Sequence, residues 1–305
     1  MAENMEDFHQ EEQEMLKQTD ERGESAFSFR SLLAMLFFLF FHIFAQMVGI
    51  GLYLSIFRGI QLSEGTDAVL AALQDTDVLA AGTLIMAFFV VPTYYFYLKA
   101  RERRHPGTFF TEIPSPDTCL RMFFLIFSSQ GLVYAFTQAI ALLSEKSQFF
   151  QEAMREYEDI IQSVGSDESR ISLLIAGVVV AGPIMEELLF RGIVQGELQR
   201  VMKARYAIFL SALVFGIFHG NFVQSAYAFM VGLVLGYAYW KSRSMILSIS
   251  LHIVFNFLGG ALPIMLGENS AAMQTISLIQ MLSGVFLLLS LLYRALTAST
   301  HSSPQ

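Results

Sequence analysis

Cysteine is almost absent. Cys119 is the single one in 305 residues, which excludes an internal disulfide framework and any metal site built from several thiolates. Charge is scarce as well. Asp, Glu, Lys and Arg make up 15% of the chain, against about 25% in an average soluble domain. No basic stripe is present, so no nucleic-acid partner is expected. The sequence holds no HExxH, which removes the helix-borne zinc hydrolase signature. It holds no GxSG serine motif and no aspartate in the middle of an apolar run. No internal repeat suggests the paired halves common in transporters.

What is abundant is apolar. Hydrophobic residues make up 54% of the chain, with 29 phenylalanines. They come in blocks near 20 long, the length about 30 Å of hydrocarbon requires. A transmembrane β-barrel would show short alternating segments instead. The expected fold is all-α, a polytopic bundle of about eight spans in a lipid bilayer. The spans fall near 31–57, 78–98, 120–143, 171–198, 206–222, 224–240, 245–266 and 273–293. Basic residues set the orientation. Arg30, Lys99, Arg101, Arg103, Arg104, Arg200, Lys203, Arg205, Lys241, Arg243 and Arg294 share one side if both termini are cytoplasmic.

Residues 1–29 hold nine acids against Lys17 and Arg22, so most of the net charge of −8 sits there. This acidic cytoplasmic tail reads as lacking fixed structure, and it does not resemble a cleavable signal. Residues 30–170 carry three N-terminal spans with their connectors, and 261–305 the last span with a short cytoplasmic tail. Between spans, 105–117 reads as an interfacial connector and 148–162 as an amphipathic surface helix.

Charged residues at mid-bilayer cost roughly 2.5–3.5 kcal/mol each, so they mark function by default. The stretch AGPIMEELLFRG, 181–192, places Glu186, Glu187 and Arg191 inside the fourth span. Glu187 and Arg191 are i and i+4 and suit an ion pair. Glu186 points about 100° away from Glu187 on a helix, and Pro183 disturbs the helix just before it. The fifth span carries Phe215 and His219, and the seventh carries His252 and Asn256 on one face. Glu186 is 14 residues from Arg200, His219 is 14 from Arg205, and Asn256 is 13 from Arg243. These separations put all three about 20 Å from the basic side. Polar residues from three helices thus share a depth, as a common buried site requires. A carboxylate beside an imidazole suits water activation, and further His and Asn donors suit a developing oxyanion.

The sequence EELLFR, then FGIFH, then HIVFN on successive helices resembles the three motifs of the CPBP (Abi) family. That family comprises type II CAAX prenyl proteases and bacteriocin-processing or self-immunity proteins. The resemblance covers about 171–260. It implies a membrane-embedded endopeptidase core in which Glu186 and His219 hold and activate water. His252 and Asn256 would form the oxyanion site, Glu187 and Arg191 the structural pair, with Phe215 in support. The family has been described both as metal-dependent and as glutamate-dependent. A metal-free site is the favoured expectation, with zinc held by Glu186, His219 and His252 as the alternative.

Other readings stay open on sequence alone. A non-catalytic scaffold or bacteriocin self-immunity protein could keep the same fold, and a proton-coupled carrier could use Glu186 and the histidines as a relay. The expected partner is a membrane-associated or leader-type peptide, and the expected location a bacterial plasma membrane. His42 and Gln46, i and i+4 in the first span, read as satisfying each other or a neighbouring helix. Gly232 and Gly236 read as a close-packing pair.

Overall fold

A computed structural model describes residues 29–59, 76–165, 171–267 and 270–300. Apart from Phe29, the acidic tail lies outside them. The described residues form nine helices and no strand. They are α1 (Phe29–Phe57), α2 (Thr76–Arg104), α3 (Pro116–Ser144), α4 (Gln148–Gly165), α5 (Ile171–Leu198), α6 (Ala204–Phe218), α7 (Phe222–Ser242), α8 (Met245–Leu266) and α9 (Ala271–Thr300). Seven of them are long and apolar enough to cross a membrane. The exposed faces of α1 and α9 carry Phe40, Phe44, Phe286 and Leu289, side chains that lipid accommodates and water does not.

The fifth expected span differs from its reading. Residues 206–222 were expected to cross, yet α6 has 15 residues, about 22 Å of helix. The chain turns back immediately after Phe218. Gly220, at φ 72°, takes the left-handed backbone conformation of this turn, which glycine adopts without steric cost. Asn221 then caps α7, its side chain accepting from the Gln224 N–H at 3.1 Å. The expected break between 222 and 224 falls four residues late, because Phe222 already belongs to α7.

Helices α5 to α8 form the centre, with neighbours in sequence running antiparallel. Gly232 lets α7 approach α6: a methyl there would meet Ala212 at 3.1 Å and the Phe215 ring at 3.1 Å. Helix α5 is not a regular α-helix. Its turns widen to π geometry over Ile175–Ala181, where the Gly182 N–H reaches back to the Gly177 carbonyl. Pro183 follows, and its missing N–H and bulky ring oppose a regular turn there. Helix α8 repeats the pattern, with a π stretch over Phe257–Ala261 ahead of Pro263. A further π stretch spans Leu188–Gln195. There the buried Arg101 of α2 donates to the Gly192 carbonyl at 2.8 Å and pairs with Glu197 at 3.3 Å.

The expected amphipathic helix is α4. It docks through Phe149 and Phe150 on Phe222 and through Tyr157 on Tyr227. Burial raises the Tyr157 phenol above its ordinary value, and its hydrogen bond with Tyr227 opposes that rise. The connector between α2 and α3 buries Phe109 and Phe110. It is tied to the α7–α8 turn by Thr111 pairing with Ser244 and by Arg243 on Glu112.

Candidate active site

The two adjacent glutamates have opposite fates because one residue is about 100° of helix. The Glu187 side chain is 0% exposed, while that of Glu186 is 26% exposed. Glu186 opens onto a cavity of about 330 Å³, which Phe215, His219, His252 and Asn256 also line. The structure thus brings together every residue the motifs single out for chemistry.

Glu187 is more than half of an ion pair. Its Oε1 lies 3.1 Å from Arg191 Nη1 and 2.9 Å from His252 Nδ1, while its Oε2 accepts from Ser248 Oγ at 2.5 Å. The Arg191 contact is an ion pair off the line of a hydrogen bond. Arg191 is held further by the Gly232 carbonyl at 3.3 Å and by the Phe215 face, 4.6 Å from its guanidinium carbon. The expected Glu187–Arg191 ion pair is present and buried, and Glu187 has a contact beyond it. The pair also orients an imidazole of the site, because a carboxylate accepting from Nδ1–H fixes ring and tautomer together.

His252 Nε2 then faces Glu186 Oε2 at 3.6 Å. His219 is fixed differently. Its Nδ1 donates to the Phe215 carbonyl at 2.8 Å, which leaves Nε2 as the atom carrying a lone pair. Phe215 stands between the two imidazoles, edge to face with His219 at 4.7 Å and with His252 at 5.7 Å. Asn256 spends one N–H on the Val178 carbonyl at 3.2 Å, in the π stretch of α5, and keeps a second for a ligand.

For zinc, Glu186, His219 and His252 share the cavity, but among the described residues no three His, Cys, Asp or Glu side chains converge as metal ligands must. The arrangement suits a water held between carboxylate and imidazole, facing donors of hydrogen bonds.

Sequence reasoning missed several cavity residues. Gln130 of α3, Tyr157 and Ile161 of α4, Tyr227 of α7, and His42 and Gln46 of α1 all line it. His42 and Gln46 contact α2 rather than each other, at Tyr94 (3.1 Å) and Thr83 (3.5 Å). Ser248 was missed too, although it stands one turn before His252.

Residues 168–258 match the family described as type II CAAX prenyl endopeptidase Rce1-like. The protein named "Putative membrane peptidase YdiL" of Bacillus subtilis (strain 168) is 25% identical over 134 residues, 44% of this chain and 50% of that protein. The match thus spans about half the length of this relative. No solved structure matches the chain. The matched segment contains Glu186, His219, His252 and Asn256, so motifs and family match rest on the same residues as the cavity. Motifs, family match and relative agree: residues 168–258 are similar to the Rce1-like type II CAAX prenyl endopeptidases.

Proposed function

We propose that the protein is an integral-membrane endopeptidase of the CAAX type that hydrolyses a peptide bond with water activated by Glu186. The observation that carries this reading is the placement of Glu186 at the open end of an otherwise sealed charge cluster. One glutamate is consumed by Arg191, Ser248 and His252; the other is left facing the cavity.

The steps balance on this chain's own groups. Glu186 takes a proton from water as oxygen bonds to the scissile carbonyl carbon. His219 Nε2 accepts the second hydrogen of the same water and orients it. The oxyanion that forms receives Asn256 N–H and, when His252 carries a proton on both nitrogens, His252 Nε2–H. Collapse breaks the C–N bond, and Glu186 returns its proton to the leaving amine. No metal enters these steps, and chelation tests that choice.

The substrate is a membrane-associated or leader-type peptide: the cavity walls include Val178, Val179, Val231 and Phe255, fit for an extended apolar stretch. The bacterial source of the relative supports a plasma-membrane location, and the basic residues support cytoplasmic termini.

The test compares new peptide termini in membranes carrying wild type, Glu186→Ala or His219→Ala at equal abundance, with and without a zinc chelator. Termini lost in both variants and retained under chelation are expected. No terminus dependent on Glu186 would overturn the reading in favour of a non-catalytic scaffold.

A further inference from the structure

One buried titratable group of the cavity has no place in the motifs. His42 comes from α1, far outside 168–258, and is 7% exposed. A lone histidine on an apolar helix is most simply a packed core residue, and its ring does pack edge to face on Phe218, at 5.4 Å. Its polar contacts add more. Nδ1 lies 3.1 Å from the Tyr94 hydroxyl, and that hydroxyl lies 3.4 Å from the Phe38 carbonyl. A carbonyl only accepts; with the tyrosine proton given to Phe38, the His42 proton goes to the tyrosine oxygen. In that arrangement of the α1–α2–α1 chain His42 is the Nδ1–H tautomer.

That leaves Nε2 with its lone pair. Nε2 has no hydrogen-bond partner among the described residues, and the ring lines the same cavity as Glu186 and His219. The groups facing it are Tyr94 from α2, Glu186 from α5, within electrostatic reach, and Phe218 and His219 from α6. A buried acceptor on a ring that lines this cavity needs a donor. A water held by Glu186 would supply one in the resting site. Once Glu186 has taken the proton of the attacking water, its new O–H supplies another.

We infer that His42 is a positioning residue of the site, a third imidazole whose Nε2 accepts a hydrogen bond from the Glu186 water and then from protonated Glu186. No net proton moves through His42. The transfer from water to Glu186 to amine nitrogen stays balanced, and His42 keeps the carboxyl group directed while it holds the proton. Helix α1 is then part of the working enzyme rather than lipid-facing packing. The inference rests on the endopeptidase reading above.

The experiment uses the full chain in nanodiscs and a quenched fluorescent peptide built on a terminus that vanishes in Glu186→Ala membranes. His42→Phe keeps ring volume and the Phe218 contact but has no acceptor. Its kcat is expected to fall about 10- to 100-fold, the cost of one unmade hydrogen bond at a buried group, with KM little changed. His42→Gln, whose amide can donate to Tyr94 and accept from the site, is expected to recover part of that loss. Tyr94→Phe frees the tautomer and is expected to fall between them. Folded fraction is measured for each variant. Wild-type kcat in His42→Phe, or a loss that only follows folded fraction and that Gln does not relieve, overturns the role of His42 while leaving the endopeptidase reading standing. Unchanged termini in Glu186→Ala overturn both.

Discussion

Substituting Glu187 separates folding from chemistry at this site. Glu187→Gln removes the charge opposite Arg191, which is 1% exposed and has as other partners the Gly232 carbonyl at 3.3 Å and the Phe215 face. Neither compensates a full charge. Breaking a buried ion pair from one side costs about 3–5 kcal/mol, on the order of 10 °C in melting temperature for a chain of this size. Adding Arg191→Met removes the stranded charge and fills the space with an apolar chain, so most of the lost stability should return. Cleavage should not return, because His252 Nδ1 still lacks its anionic partner, 2.9 Å away in the wild type. The assay is thermal unfolding in detergent alongside cleavage of a peptide dependent on Glu186. A single variant within about 1 kcal/mol of wild type would refute the buried-pair argument. Restored cleavage in the double variant would refute the claim that Glu187 orients His252.

Other predictions follow from the same contacts. Asn256→Ala should lower turnover about 10²–10³-fold, as loss of one oxyanion donor does, while unfolding shows a small cost from the unpaired Val178 carbonyl. Gly131→Ala should detach α9, because the new methyl would overlap the Gln280 backbone and nothing there is a flexible side-chain end; crosslinking between residues 128 and 283, whose hydroxyls meet at 2.5 Å, would report it. Tyr157 couples α4 docking to pH. Its phenol is raised in the folded protein, so its contribution is fully present below the ordinary value of 10.0 and is lost as pH rises through the higher folded value. Protease nicking of α4 should increase over that alkaline range in wild type and lose this dependence in Tyr157→Phe.

Much of the site was legible in the sequence because its residues come from regular helices with countable depth. Glu186, His219 and Asn256 were each placed by distance from a basic residue, and all three line one cavity. Glu187 with Arg191 followed from helical spacing. What spacing cannot give is rotation and approach between helices. The Glu187 contacts with His252 and Ser248 cross from α5 to α8, and no i+4 rule reports them. For His42 the sequence offers a neighbouring helix as partner but not which residue, because Tyr94 is 52 positions away. The π stretches had a partial signal in Pro183 and Pro263, which announce a disturbed helix without stating its form. The end of α6 was legible to within four residues, because Gly220 and Asn221 separate the apolar runs on either side.

The central claim is that Glu186 moves the proton of the attacking water. The direct measurement is single-turnover cleavage by purified protein in lipid nanodiscs, wild type against Glu186→Gln, at matched folded fraction and after chelation. The account predicts a fall of about 10²–10⁴-fold, the span of general acid–base catalysis, and no loss of wild-type rate on chelation. Equal rates for the two proteins, or a wild-type rate abolished by the chelator and restored by zinc, would contradict it.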